Sequence, residues 1–226
     1  MALRNRQVTM LLPMRVWDLP VRLFHWLLVV LLPACYISMK AGQPALHFVL
    51  GYMVMALVLF RLVWGVIGSD TARFARFVAS PGRAVHHLRR LFVREPDTEV
   101  GHNPAGGWMV LLLLLLVVLQ VATGPFARNR HNVEGPLAKY VADSVVSAAS
   151  LVHSVTVKLI IGAALLHVLV IVIYVRAKGQ NLVRPMLTGK KRLPAATRAP
   201  RLRSPLLALA VLLVIAAAVA ALATQV

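Results

Sequence analysis

The sequence predicts an all-α integral membrane protein, with four transmembrane helices gathered in a bundle and a fifth at the C-terminus. Three observations carry that expectation. Of the 226 residues, 59% are hydrophobic and 14% charged, a balance far from that of a water-soluble domain. The apolar residues form five runs, roughly 22–39, 45–67, 106–125, 148–175 and 205–223, and ~20 residues suffice to cross a hydrocarbon core of about 30 Å. The charges between the runs fall mostly on one side.

Arg4, Arg6, Arg15 and Arg22 precede the first run, and Arg73, Arg76, Arg83, Arg89, Arg90 and Arg94 lie between the second and third. Nine more basic residues, from Arg176 through Lys190, Lys191 and Arg192 to Arg203, separate the fourth from the fifth. The opposite side holds Lys40, Arg128, Arg130 and Lys139, partly offset by Glu134 and Asp143. This positive-inside bias puts the N-terminus in the cytoplasm and the C-terminus outside. A formal net charge of +18 is therefore read as topology and contact with anionic membrane lipid, not as nucleic-acid binding.

The first run opens at Trp17-Asp18-Leu19-Pro20, where Asp18 can cap a helix and tryptophans suit the headgroup zone. It ends in Ile37-Ser38-Met39-Lys40 without a small-x-small cleavage site, so it reads as a span and not a signal peptide. Ala41-Gly42-Gln43-Pro44 is a tight connection that makes spans one and two antiparallel neighbours. After the second span, the longest cytoplasmic segment contains an amphipathic basic stretch, Pro81 to Val93, expected to lie along the membrane surface. Gly101-His102-Asn103-Pro104 leads into the third span, almost pure Leu and Val without histidine, whose expected role is packing. Gly124-Pro125 closes it, and part of the external stretch Phe126 to Val146 is expected to form a short interfacial helix. The fifth span has no ionisable residue and reads as an anchor or packing element. The division is residues 1–192 as the main membrane domain and 193–226 as a basic linker and C-terminal helix.

Four histidines belong to these runs: His25, His47, His153 and His167. An imidazole within a membrane span is costly enough to be a site candidate. His153 and His167 are 14 residues apart on one run, which in an α-helix is about 21 Å of rise and about 1400° of rotation, some 40° short of four turns. They share a face at two depths. By topology His25 and His167 lie near the cytoplasmic face, and His47 and His153 near the external face. Two imidazoles at each of two depths suit two bis-histidine haems, whose saturated iron shuttles single electrons. Cys35 stands alone and no C-x-x-C-H is present, so such haems are bound non-covalently.

Arg61 follows His47 by 14 residues, which puts a guanidinium at the depth of the His25–His167 pair, either to meet a haem propionate or to snorkel to the headgroups. Lys158 has the same two readings, and Gly51 leaves room beside His47. His86, His87, His102 and His131 have no depth-matched partner.

The chain resembles the bacterial cytochrome b561 and nickel-hydrogenase b-type cytochrome family. The resemblance rests on Val16-Trp17-Asp18-Leu19-Pro20 with Arg22-Leu23-Phe24-His25-Trp26, on His47 with Gly51-Tyr52 and Arg61-Leu62-Val63-Trp64-Gly65, and on Gly101-His102-Asn103-Pro104-Ala105-Gly106-Gly107. It continues through His153 and His167 to Asn181-Leu182-Val183-Arg184-Pro185, covering about residues 15–192. It implies a four-helix bundle in the bacterial inner membrane, two b haems held by histidines of helices one, two and four, and electron exchange with quinone and an external partner such as a periplasmic c-type cytochrome. The family also contains hydrogenase membrane subunits and superoxide- or quinone-reactive oxidoreductases, which these motifs do not separate. The fifth span lies outside the family core and leaves a role in self-association or partner binding open.

Overall fold

The computed structural model describes residues 10–129 and 132–225, so Arg4, Arg6, Arg130 and His131 lie outside it. The described chain is mostly helical, and five of its helices are long and apolar enough to cross a membrane. After strand β1, Leu11–Arg15, helix α1 runs Leu19–Lys40. Asp18 starts α1 by accepting the Val21 N–H on Oδ1 at 2.8 Å, with Pro20 in the first turn, where its missing N–H is harmless. Gly42, at φ 72°, takes the left-handed conformation that lets the chain reverse into α2, Pro44–Ile67.

Helix α2 is the centre of the molecule. Val54, Ala56, Leu57, Val58, Phe60, Arg61, Trp64 and Gly65 are all buried on it, and it packs against α1 and the helices Pro104–Thr123 and Pro205–Gln225. Two short helices follow, α3 at Phe74–Phe77 and α4 at Pro81–Arg89, the latter being the helical part of the amphipathic stretch. Helix α5, Pro104–Thr123, is capped by Asn103 Oδ1, which accepts the Gly106 N–H at 2.7 Å. It pairs with α6, Asp143–Ile173, which extends about a turn beyond the apolar run at its start. The expected interfacial helix reduces to a 3₁₀ turn, Ala138–Tyr140, because residues 143–146 already belong to α6. At its other end α6 passes into a π turn, Tyr174–Lys178, that Gly179 terminates at φ 75°.

Helix α7, Val183–Thr188, strand β2, Lys190–Pro194, and helix α8, Pro205–Gln225, complete the chain. Sequence reading expects no strand, yet β2 pairs antiparallel with β1, Leu11 opposite Pro194 and Arg15 opposite Lys190. Neither pentapeptide alternates polar and apolar residues, and the partners come from opposite ends of the sequence, so local patterning carries no trace of the pairing. The ribbon joins the N-terminus to the region after α7. Val16 N–H donates to the Gly189 carbonyl at 2.9 Å, and Trp26 Nε1–H donates to that of Met186 at 3.2 Å.

One buried cluster, Val16, Trp17, Val21, Phe60, Trp64, Ala72, Leu193 and Ala208, unites α1, α2, β2 and α8 at the arginine-rich end. Within it Trp64, fully buried, donates its indole N–H to Asp18 Oδ2 at 2.9 Å. A second cluster, including Leu31, Val54, Val58, Leu114, Val117 and Ile160, joins α1, α2, α5 and α6. Most other apolar side chains face outward, as a lipid-facing surface requires.

Candidate functional site

The four histidines meet in two pairs. His25 of α1 and His167 of α6 have ring centroids 6.5 Å apart, and His47 of α2 and His153 of α6 have theirs 6.4 Å apart. Two imidazoles bonded to opposite sides of one metal ion through bonds of about 2 Å place their centroids slightly over about 6 Å apart. The planes are turned by 60° and 79°, which axial ligation through one nitrogen of each ring tolerates. Along α6 the pairs are separated by about 21 Å.

The pair farther from the arginines is held by backbone carbonyls. His47 Nδ1–H donates to the Cys35 carbonyl of α1 at 2.8 Å, a bond that leaves Nε2 with its lone pair free to meet a metal. His153 Nδ1–H donates to the Gln120 carbonyl of α5 at 3.1 Å, while the Gln120 side-chain amide donates to His153 Nε2 at 3.0 Å. Gln120 Oε1 is buried without a partner among the described residues. Gly124 admits the His153 ring, since a Cβ there would come within 3.1 Å of Cε1. A Cβ on Gly51 would meet nothing within 4 Å, so the space beside His47 is open. A pocket beside the pair is lined by Cys35, His47, Tyr52, Gln120 and His153 among others.

Among the described residues the pair at the arginine-rich end has no such tethers. His25 stands edge-on to Trp26 at 4.9 Å, and its buried Nδ1 has no partner among the described residues. Arg61 is 3% exposed, so its guanidinium is turned into the protein. It lies over the Phe74 ring at 4.8 Å, a cation–π contact of about 0.5–2 kcal/mol. Its Nη1 has no hydrogen-bond partner among the described residues, and leaving a buried donor unmet costs about 1–3 kcal/mol, more for a charged group.

Two residues here escape sequence reading. Gln120 sits in the span expected only to pack, and a lone amide inside a Leu/Val run was a signal available in the sequence. His102 is partly buried between Trp17 and Phe77, with centroids 4.6 and 4.5 Å away, and its Nδ1 is sealed without a partner among the described residues. Burial, then the Arg61 charge, push its imidazole down to about 3, so it is neutral at ordinary pH. Nothing local announces this, because Trp17 and Phe77 come from distant segments. Of the other histidines, His86 is exposed and His87 shares a 2.7 Å hydrogen bond with the Tyr174 hydroxyl. Lys158 is exposed, five residues and so about 140° around α6 from His153.

The family model of prokaryotic cytochrome b561 matches residues 16–189. No curated protein and no solved structure matches the chain. The matched stretch starts and ends where Val16 bonds Gly189, and it contains both histidine pairs, Arg61 and His102.

Proposed function

The chain belongs to the prokaryotic cytochrome b561 family, a multi-pass membrane cytochrome of b type in electron transport, and from that membership we propose that it holds two haems and carries single electrons across the bacterial inner membrane. The single observation supporting the reading is the pair of ring separations, 6.5 and 6.4 Å, at two levels of one bundle. His25 and His167 hold the haem on the cytoplasmic side, and His47 and His153 hold the one on the external side. Haem held between these imidazoles would supply one-electron exchange. The protein's part is orientation. The Cys35 and Gln120 carbonyls accept from Nδ1–H of His47 and His153, which leaves Nε2 of each as the nitrogen that would meet the haem iron once the Gln120 amide moves off His153. The apolar faces of α1, α2, α5 and α6 exclude water, which strengthens every charge interaction inside. The donors and acceptors proposed are the quinone pool and an external redox protein, such as a periplasmic c-type cytochrome.

A pyridine haemochrome assay on the purified full chain is expected to give two haems. His47→Ala or His153→Ala should remove one spectral component, and His25→Ala or His167→Ala the other. One haem in the wild type, or loss of the same component from His25→Ala and His153→Ala, overturns the pairing.

A further inference from the structure

At the arginine-rich end several basic side chains have polar partners. Arg90 and Lys178 meet Glu95, Lys191 meets Asp97 at 2.6 Å, Arg73 meets Asp70, and Arg22 donates to the carbonyls of Met186 and Leu187. Arg61 is different. Asp18 is within its electrostatic reach, but both Asp18 oxygens are occupied, Oδ1 by the Val21 N–H and Oδ2 by the Trp64 indole. The guanidinium is buried against Phe74 with Nη1 unbonded among the described residues.

A second unmet nitrogen lies nearby. His102 Nδ1 is sealed from solvent, and the ring is within electrostatic reach of Arg61, Lys191 and His167. Its walls, Trp17 and Phe77, are aromatic and offer no strong acceptor. Phe74 and Phe77 touch at 5.8 Å, which makes a continuous aromatic floor from Arg61 to His102. Two buried nitrogens that need an acceptor, in surroundings of positive charge and beside a histidine of the cytoplasm-side pair, describe a receptor for a carboxylate.

We propose that Arg61 and His102 together receive the propionate carboxylates of the cytoplasm-side haem, Arg61 as the charge partner and His102 as a neutral Nδ1–H donor. The proposal rests on the dihaem reading above and adds a positioning role for His102, a residue with no partner in the sequence. It orients that haem with its acidic edge toward His102 and the cytoplasm.

The test uses the full chain depleted of haem and titrated with haem b or with its dimethyl ester, which has the same ring and iron but no carboxylates. Wild-type protein is expected to take the cytoplasm-side equivalent of haem b about tenfold more tightly than the ester, the loss expected for a charge-assisted hydrogen bond. Arg61→Leu and His102→Phe should each erase most of that preference. His102→Asn, which keeps an N–H near the position of Nδ1, should retain it, an outcome that simple filling of the aromatic slot does not produce. Arg61→Leu should also lower the midpoint of the cytoplasm-side haem alone. If the variants bind two haems with the wild-type preference and unchanged midpoints, the receptor is overturned while the dihaem reading stands. If the wild type itself binds fewer than two haems, the dihaem reading falls and the receptor with it.

Discussion

The two histidine pairs have nearly the same ring separation and opposite surroundings. At the far end each ring is tied by an Nδ1–H to a backbone carbonyl, of Cys35 or Gln120, and no Lys or Arg lines the pocket. At the arginine-rich end His25 Nδ1 has no partner among the described residues, and the neighbourhood holds Arg61, Lys191 and His102. One site is oriented by hydrogen bonds and the other by packing within an electropositive frame. On the proposed dihaem reading, the contrast teaches that equal ligation would not bring equal redox poise. A carbonyl drawing on Nδ1–H makes the ligand more basic and favours the oxidised metal, whereas a fixed positive charge in a dry site favours the reduced one.

The largest expected effect breaks one end and spares the other. Asp18→Ala removes the cap of α1, worth about 1 kcal/mol, and leaves the buried Trp64 N–H without its acceptor, about 1–3 kcal/mol more. Thermal unfolding should show a loss of about 2–4 kcal/mol by these two contributions together. The cytoplasm-side spectral component should weaken first. Equal loss of both components would show that the ends are not independent.

A smaller effect sharpens the contrast directly. In a redox titration of the wild-type protein the two haems should titrate separately, the cytoplasm-side one at the higher potential by on the order of 60 mV, a tenfold ratio for one electron. Assignment comes from His47→Ala, which should leave the high-potential component. A high-potential component that disappears in His47→Ala would reverse the electrostatic argument.

The smallest effect lies at the far end. The Gln120 amide occupies His153 Nε2, the nitrogen a metal needs, and has to swing aside for ligation. Gln120→Leu removes that competitor and keeps the backbone carbonyl on Nδ1, so external haem uptake should tighten by the value of one neutral hydrogen bond, about 0.5–1.5 kcal/mol. Weaker uptake in a haem titration would show instead that the amide supports the site.

By itself the sequence determined the five long apolar helices, the crowding of basic residues between alternate runs, and the fourteen-residue offsets of His153 from His167 and of His47 from Arg61. Those properties follow from hydrophobic length and helical rise, and both are local. The Asp18 cap was legible for the same reason, being a three-residue relation. Tertiary structure alone decided the β1–β2 ribbon, the burial of Arg61 with an unbonded Nη1, the Asp18–Trp64 bond, and the lodging of His102 between Trp17 and Phe77. These depend on segments far apart in the chain arriving at one place. Hydropathy and periodicity describe which way a residue faces on its own helix, and they hold no term for which side chain another segment sets against it.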